Sequence, residues 1–213
     1  MEFERLLELV SDEPVFETSL LLAGNVKPPG VRLQLARWAK SGKVYQLRRG
    51  LYALAPPYQK VKPHPFLVAN RMQRASYVSG SSALAFFGLI PDTLYATFSV
   101  TTRRPEYHST PLGNFAFQHI KPLYLRGYLV HELGCGQHAF IATPEKALLD
   151  LVYLQPAGDT LTYLQELRLQ NLERLDLIAL QQQAEIFGSP KMLRAFEVIR
   201  KLVKTEAQEY EML

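Results

Sequence analysis

Four of the 14 prolines in this 213-residue chain lie within ten positions, at Pro56, Pro57, Pro63 and Pro65. Each proline fixes its own φ and removes a backbone N–H donor, so the cluster indicates an extended connector between folded units. We therefore expect a first domain at residues 1–57, a proline-rich linker at 58–65 and a second domain at 66–213.

The composition places the chain among ordinary globular proteins. Hydrophobic residues make up 47% and charged residues 21% of the sequence, so general disorder is not expected. The single cysteine excludes an internal disulfide framework and fits a reducing compartment. No apolar run approaches the length of a transmembrane helix, and the acidic N-terminal segment does not resemble a secretory signal. We expect a cytoplasmic protein.

The net charge of +4 hides an uneven distribution of charged residues. Residues 18–91 contain eleven Lys and Arg residues but no Asp or Glu, whereas residues 1–17 carry six acids and one base. A positive field concentrated in one segment attracts a polyanion. The alternative explanation of this distribution is chance, with the basic residues serving only solubility. It is less favoured because the segment both contains many bases and lacks acids.

The pattern of residues 1–57 predicts three helices followed by a hairpin. The predicted elements are a helix at 3–10, a short strand at 15–16, a short helix from 18 or 19 to 23 with a stop at 24–25, a helix from 28 to about 41, and strands at 44–47 and 51–54. This order of elements is typical of a winged helix-turn-helix.

The third helix has two different faces on a helical wheel. Its core face is predicted to hold Val31, Leu35, Trp38 and Ala39. Its outward face is predicted to hold Arg32, Leu33, Ala36, Arg37 and Lys40, with Gln34 at the side. Arginine bonds guanine edges, glutamine bonds adenine and leucine contacts the thymine methyl group, so this face suits a major groove.

Further basic residues complete the predicted DNA-binding set. Phosphate contacts are assigned to Lys27, Lys40 and Lys43, and an adjacent minor groove to Arg48 and Arg49 at the hairpin tip. The alternative for the helix is an ordinary solvated face. It becomes less favoured because the twin arginines of the hairpin lie on the same acid-free segment.

Three segments together resemble the AbiEi-type antitoxin family over roughly residues 20–155. They are 35–44 (LARWAKSGKV) with 47–54 (LRRGLYAL), 77–91 (YVSGSSALAFFGLIP) followed by 98–102 (FSVTT), and 142–151 (ATPEKALLDL). The resemblance implies a non-enzymatic transcriptional repressor of a type IV toxin–antitoxin operon, which binds inverted repeats of double-stranded DNA in its own promoter. It also implies that the second domain counteracts a nucleotidyltransferase-like toxin, without a stable complex in most such systems, and it implies no cofactor.

The second domain is predicted to be α+β with a helical C-terminal part. Helices are expected at 66–73, 79–87, 143–153, 160–169, 172–187 and 190–207, and strands at 94–101, 115–120, 128–133 and 139–141. The whole chain is thus expected to be α+β, a winged helix-turn-helix followed by this mixed domain.

Enzymatic chemistry in the second domain has weak support. Ser81 and Ser82 are interpreted as helix caps rather than as a nucleophile, and Lys146 with Asp150 as a surface ion pair. His131, Cys135 and His138 lack a fourth ligand for zinc, and the glycines around Cys135 favour a hairpin turn.

Two alternative functions remain at this point. One is a module that binds RNA or an acidic protein through the basic face, without antitoxin activity. The other is an enzyme, such as a nuclease, that acts through the second domain, although no clustered carboxylates for metal binding occur among residues 92–213.

Overall fold

A computed structural model describes residues 2–10, 12–22, 28–91 and 95–211, with side chains described as far as residue 206. Within these ranges the chain is a mixed α+β protein with eight α-helices and two β-sheets. The predicted α+β class is confirmed at this level. None of the described helices combines the length and hydropathy needed to cross a membrane.

The first part of the chain follows the predicted order of elements. They are α1 (Phe3–Val10), β1 (Phe16–Glu17), a 3-10 helix (Thr18–Leu22), α2 (Pro28–Lys40), β2 (Val44–Arg48) and β3 (Leu51–Leu54). The expected stop at 24–25 lies outside the described residues. Two prolines begin α2, and the chain leaves it through Gly42, whose φ of 71° is readily adopted by glycine.

The three strands of this part form an antiparallel sheet in the order β1-β3-β2. Both faces of its central strand are covered. Tyr52 and Leu54 pack with α1 and α2, whereas Leu51 and Ala53 belong to the larger hydrophobic core, which also contains residues of the second part. The hairpin therefore lies between the first helices and the rest of the protein.

The second part contains the remaining α-helices and strands. They are α3 (Pro65–Met72), β4 (Ser76–Val78), α4 (Gly80–Phe86), β5 (Thr97–Thr101), β6 (Glu106–Thr110), β7 (Gly113–His119), β8 (Tyr128–Glu132), β9 (His138–Ala142), α5 (Pro144–Leu154), α6 (Leu161–Glu166), α7 (Leu177–Phe187) and α8 (Pro190–Glu211). The strands form one six-stranded sheet in the order β6-β7-β5-β4-β9-β8. The pairs β5–β7 and β4–β9 are parallel, and the other neighbours are antiparallel.

Two strands of this sheet were not predicted. β4 has three residues, which is too short to show an alternating pattern, and β6 carries mostly polar residues because it lies at the sheet edge. The predicted helix at 172–187 is divided into a 3-10 turn at Leu172–Arg174 and α7, whose first turn is capped by Asp176. The predicted start of α5 is confirmed, since the Thr143 side chain accepts a hydrogen bond from the Lys146 N–H.

Gly80, the first residue of α4, offers a test of how α4 packs against β5. Its φ is 51°, and a Cβ added there would lie 2.7 Å from Cδ1 of Phe98. We expect Gly80→Ala to lower the free energy of unfolding by about 2 kcal/mol or more, because backbone strain combines with a clash with the half-buried Phe98 ring.

Gly30 in α2 is the matched control for that substitution. A Cβ at this position meets nothing within 4 Å, and α2 has ordinary helical geometry there. We expect Gly30→Ala to stabilise the protein by about 0.5–1 kcal/mol. Urea denaturation measures both changes, and a Gly80→Ala variant as stable as the wild type would contradict the packing argument.

Candidate nucleic-acid interface

The two predicted faces of α2 are confirmed. Val31, Leu35 and Trp38 are buried, and Ala39 is half-buried. The outward residues are all exposed, namely Arg32, Leu33, Ala36, Arg37 and Lys40, with Gln34 half-buried at the side. The indole ring of Trp38 packs edge-on against Phe3 with 5.4 Å between ring centroids, so it belongs to the core rather than to a base-stacking surface.

The exposed cations of α2 are electrostatically uncompensated. None of Arg32, Arg37 and Lys40 forms an ion pair with any residue in the described part of the chain. Leu33, Arg37 and Lys40 follow one another at spacings of four and three, so they line one side of the helix. This side presents two positive charges and one apolar side chain to solvent.

Two further lysines, Lys27 and Lys43, were predicted to contact phosphates. Lys27 is outside the described residues. The ammonium of Lys43 sits 4.5 Å from the centroid of the Phe3 ring, which holds it beside α1 by a cation–π interaction.

The two arginines of the hairpin tip have different environments. The Arg48 guanidinium donates to the backbone carbonyls of Arg49, at 3.0 Å, and of Arg71 in α3, at 3.3 Å. Its Nε atom is buried without a partner among the described residues. Arg48 is thus half-buried and anchors the hairpin to α3, whereas Arg49 remains exposed. Both arginines were predicted to reach a minor groove, and of the two only Arg49 has an exposed side chain.

The acidic N-terminal segment neutralises bases outside α2. Nη2 of Arg74 lies 2.7 Å and 2.9 Å from the two carboxylate oxygens of Glu17. Lys60 lies 3.2 Å from Asp12, and Arg71 lies 3.9 Å from Glu13. These pairs connect the first part of the chain to the segment that follows it. They leave Arg32, Arg37 and Lys40 of α2 without an ion pair among the described residues, together with Lys43, Arg48, Arg49 and Lys62.

The Arg74–Glu17 pair predicts a pH-dependent contribution to stability. Its hydrogen bond holds the pKa of Glu17 below the ordinary value of 4.5. The contribution is therefore complete above pH 4.5 and is lost as the pH falls through the lowered pKa. Because the Arg74 side chain is 73% exposed, we expect Arg74→Ala to cost less than about 1 kcal/mol at pH 7. Denaturation of both proteins at several pH values measures this, and a difference that persists in strong acid would contradict it.

A buried polar cluster in the second part corrects a sequence interpretation. Lys146 and Asp150 do not form a surface pair, because their side chains are 2% and 0% exposed. The carboxylate of Asp150 pairs with Lys146 and accepts hydrogen bonds from the hydroxyls of Tyr77, at 3.0 Å, and Ser79, at 2.7 Å. The Lys146 ammonium also donates to the Tyr77 hydroxyl at 2.7 Å. We call these four residues the buried cluster.

The surroundings of the buried cluster shift its proton affinities. Burial raises the pKa of Asp150 and lowers the pKa of Lys146, and each charge opposes the shift of the other. Burial beside Asp150 raises the pKa of Tyr77 far above its ordinary value. The cluster is closed to solvent, and its hydrogen bonds join α5 to the strand β4 and the start of α4.

The structure corrects one further chemical interpretation and confirms another. Ser81 and Ser82 do not cap α4, since Ser79 occupies the cap position and Ser82 accepts a hydrogen bond from the Phe98 N–H at 2.8 Å. Cys135 lies in the turn between β8 and β9 with a φ of 50°, so the predicted hairpin is confirmed. His131 packs against the rings of Phe86 and Phe87. The described residues contain no group of three potential metal ligands.

No protein-family model matches the chain, and no curated protein matches it.

Proposed function

We propose that the protein is a DNA-binding transcriptional repressor that inserts α2 into the major groove of its own promoter. One observation carries this proposal, the exposed face of α2, whose Arg32, Arg37 and Lys40 form no ion pair with any described residue. The order of elements and the β1-β3-β2 sheet agree with a winged helix-turn-helix, in which α2 is the recognition helix.

The dimensions and chemistry of α2 support groove binding. The helix has 13 residues and is about 20 Å long, and the major groove, about 12 Å wide, accepts a helix side-on. Arg32 and Arg37 would bond guanine edges, Gln34 adenine and Leu33 a thymine methyl group. Lys40 and the exposed Arg49 would contact phosphates or the neighbouring minor groove.

The proposed operator lies upstream of the protein's own operon and contains inverted repeats, as the resemblance to AbiEi-type antitoxins implies. On the same basis we propose that the second part counteracts a nucleotidyltransferase-like toxin encoded beside it. The two activities would be separable, because the proposed DNA contacts lie on α2 and on the hairpin. Co-expression of the toxin with an α2 variant that does not bind DNA tests this, and we expect cell growth to remain protected.

A mobility-shift titration on the upstream duplex tests DNA binding directly. We expect a shift that is lost steeply as salt rises, with a log–log slope of several units, because each phosphate contact releases counterions. No binding at about 100 mM salt would contradict the proposal. Single-stranded and duplex RNA competitors address the alternative, since preferential displacement by RNA would identify an RNA-binding module instead.

A further inference from the structure

A cavity of about 350 Å³ lies between α3 and the β8–β9 hairpin. One wall is formed by Leu67, Asn70 and Arg71, whose spacing of three and four residues places them on one side of α3. The opposite wall is formed by Val130 of β8 and Phe140 of β9. A concave site of this volume is within the usual range for small-molecule binding.

The cavity lies beside the place where β4 and β9 stop pairing. These two strands are paired only at Val78 and Ile141. The N–H of Phe140, the residue before Ile141, donates to Oδ1 of Asn70 at 2.6 Å. Nδ2 of the same amide is buried without a partner among the described residues. Because buried polar atoms are nearly always hydrogen-bonded, this is a donor that the acceptor of a ligand would satisfy.

The titratable side chains of the cavity are basic. Arg71, Arg74 and His138 line it, and none of the described residues at its wall is an acid. The nearest carboxylate to the Arg71 guanidinium belongs to Glu13, at 3.9 Å, which is beyond hydrogen-bond distance. The planar fork of N–H groups on Arg71 is therefore available for a carboxylate, which arginine binds by two parallel hydrogen bonds.

The rest of the cavity wall is apolar. Leu67 is half-buried, Val130 is 58% exposed and Phe140 is 45% exposed. Val130 and Phe140 are direct cross-strand partners, so their side chains lie together on one face of the sheet. An apolar group placed against them would be removed from water, and a flat ring can pack on the ring of Phe140.

We propose that this cavity binds a small organic carboxylate with an apolar body. The carboxylate is bound by Arg71, with Arg74 adding positive charge, and the body packs on Val130 and Phe140. An inorganic anion would leave the apolar wall in water, and an uncharged apolar molecule would leave the guanidinium of Arg71 unpaired. The site does not rest on DNA binding, because every residue that forms it belongs to the second part.

The site is connected to the first part of the chain through its arginines. Glu13 and Glu17 of the first part lie 3.9 Å from Arg71 and 2.7 Å from Arg74. A bound carboxylate competes with Glu13 for Arg71, so ligand binding and this contact weaken each other by the same factor. An effect of the ligand on DNA binding would follow from this coupling, and that effect alone rests on the proposed function.

Titration of the full chain by NMR with three carboxylates tests the site. The probes are 3-phenylpropionate, indole-3-acetate and hexanoate, and for 3-phenylpropionate we expect a dissociation constant of about 0.1–1 mM. The uncharged 3-phenylpropanamide and the short propionate are the matched controls, and each is expected to bind at least about tenfold more weakly.

Three variants test the assigned contacts. Arg71→Gln is expected to weaken 3-phenylpropionate binding at least about tenfold and Phe140→Ala about fivefold, because they remove the carboxylate partner and the apolar wall. Arg104→Gln is the control for charge, since Arg104 is exposed in the connection between β5 and β6, and it is expected to bind like the wild type. Circular dichroism verifies that the variants, all at exposed positions, are folded.

Glu13→Gln tests the coupling to the first part. It removes the competing carboxylate and is expected to tighten 3-phenylpropionate binding about two- to fivefold, while unchanged affinity would overturn the competition for Arg71. The absence of saturable binding below about 10 mM for all three carboxylates would overturn the site. So would equal affinity for the amide or for propionate, or an affinity insensitive to Arg71→Gln, which would indicate an adventitious additive only.

Discussion

Replacing Lys146 with methionine is expected to lower the free energy of unfolding by about 3–5 kcal/mol. The substitution leaves the Asp150 carboxylate buried at 0% exposure without its cation, and hydroxyl donors from Tyr77 and Ser79 cannot replace that charge. It also removes the donor to the Tyr77 hydroxyl. Urea denaturation at neutral pH measures the loss.

Two further variants show whether the loss comes from the buried charge. Lys201→Met on α8 removes an exposed lysine and is expected to change stability by less than about 0.5 kcal/mol. The double variant Lys146→Met/Asp150→Leu removes both charges, so it is expected to lose clearly less than the sum of the two single variants. Additive losses would contradict the coupling of the pair.

Replacing Arg37 with alanine is expected to weaken operator binding by about 1–3 kcal/mol, roughly 5- to 150-fold in the dissociation constant. Arg37 lies at the middle of the exposed side of α2, has no ion pair among the described residues and does not contribute to the core. Its loss would remove a base contact without altering the helix. Fluorescence anisotropy on the upstream duplex at fixed salt measures the change.

The nature of the Arg37 contact can be determined with a lysine substitution. A lysine keeps the charge but cannot form the bidentate contact with guanine. If Arg37 contacts a base, Arg37→Lys is expected to bind the operator about as weakly as Arg37→Ala. If Arg37 contacts a phosphate, Arg37→Lys is expected to keep most of the wild-type affinity. Lys201→Ala, which removes an exposed cation far along α8, is expected to leave affinity unchanged. Equal losses of DNA affinity for Arg37→Ala and Lys201→Ala would indicate that Arg37 contributes only nonspecific positive charge.

Much of the first part was accessible from the sequence because its signals are local. Helical periodicity predicted which side of α2 is buried, and the prolines and glycines predicted where the helix begins and ends. The absence of acids from residues 18–91 pointed to a positive surface. It did not show that Arg71 and Arg74 are paired with Glu13 and Glu17, because ion pairs between distant positions have no sequence period.

The sequence alone determined the α+β class, the order of most elements and the two faces of α2, because these depend on contacts within a few residues. Only the tertiary structure decided that Lys146 and Asp150 are buried. A spacing of four residues brings them together equally well on a surface or in a core. A buried pair differs from a surface pair in having other parts of the chain packed over it. Here Tyr77 and Ser79 cover the pair, and they lie about 70 residues earlier in the chain. In the same way, the attachment of Arg48 to α3 depends on how the two parts pack against each other.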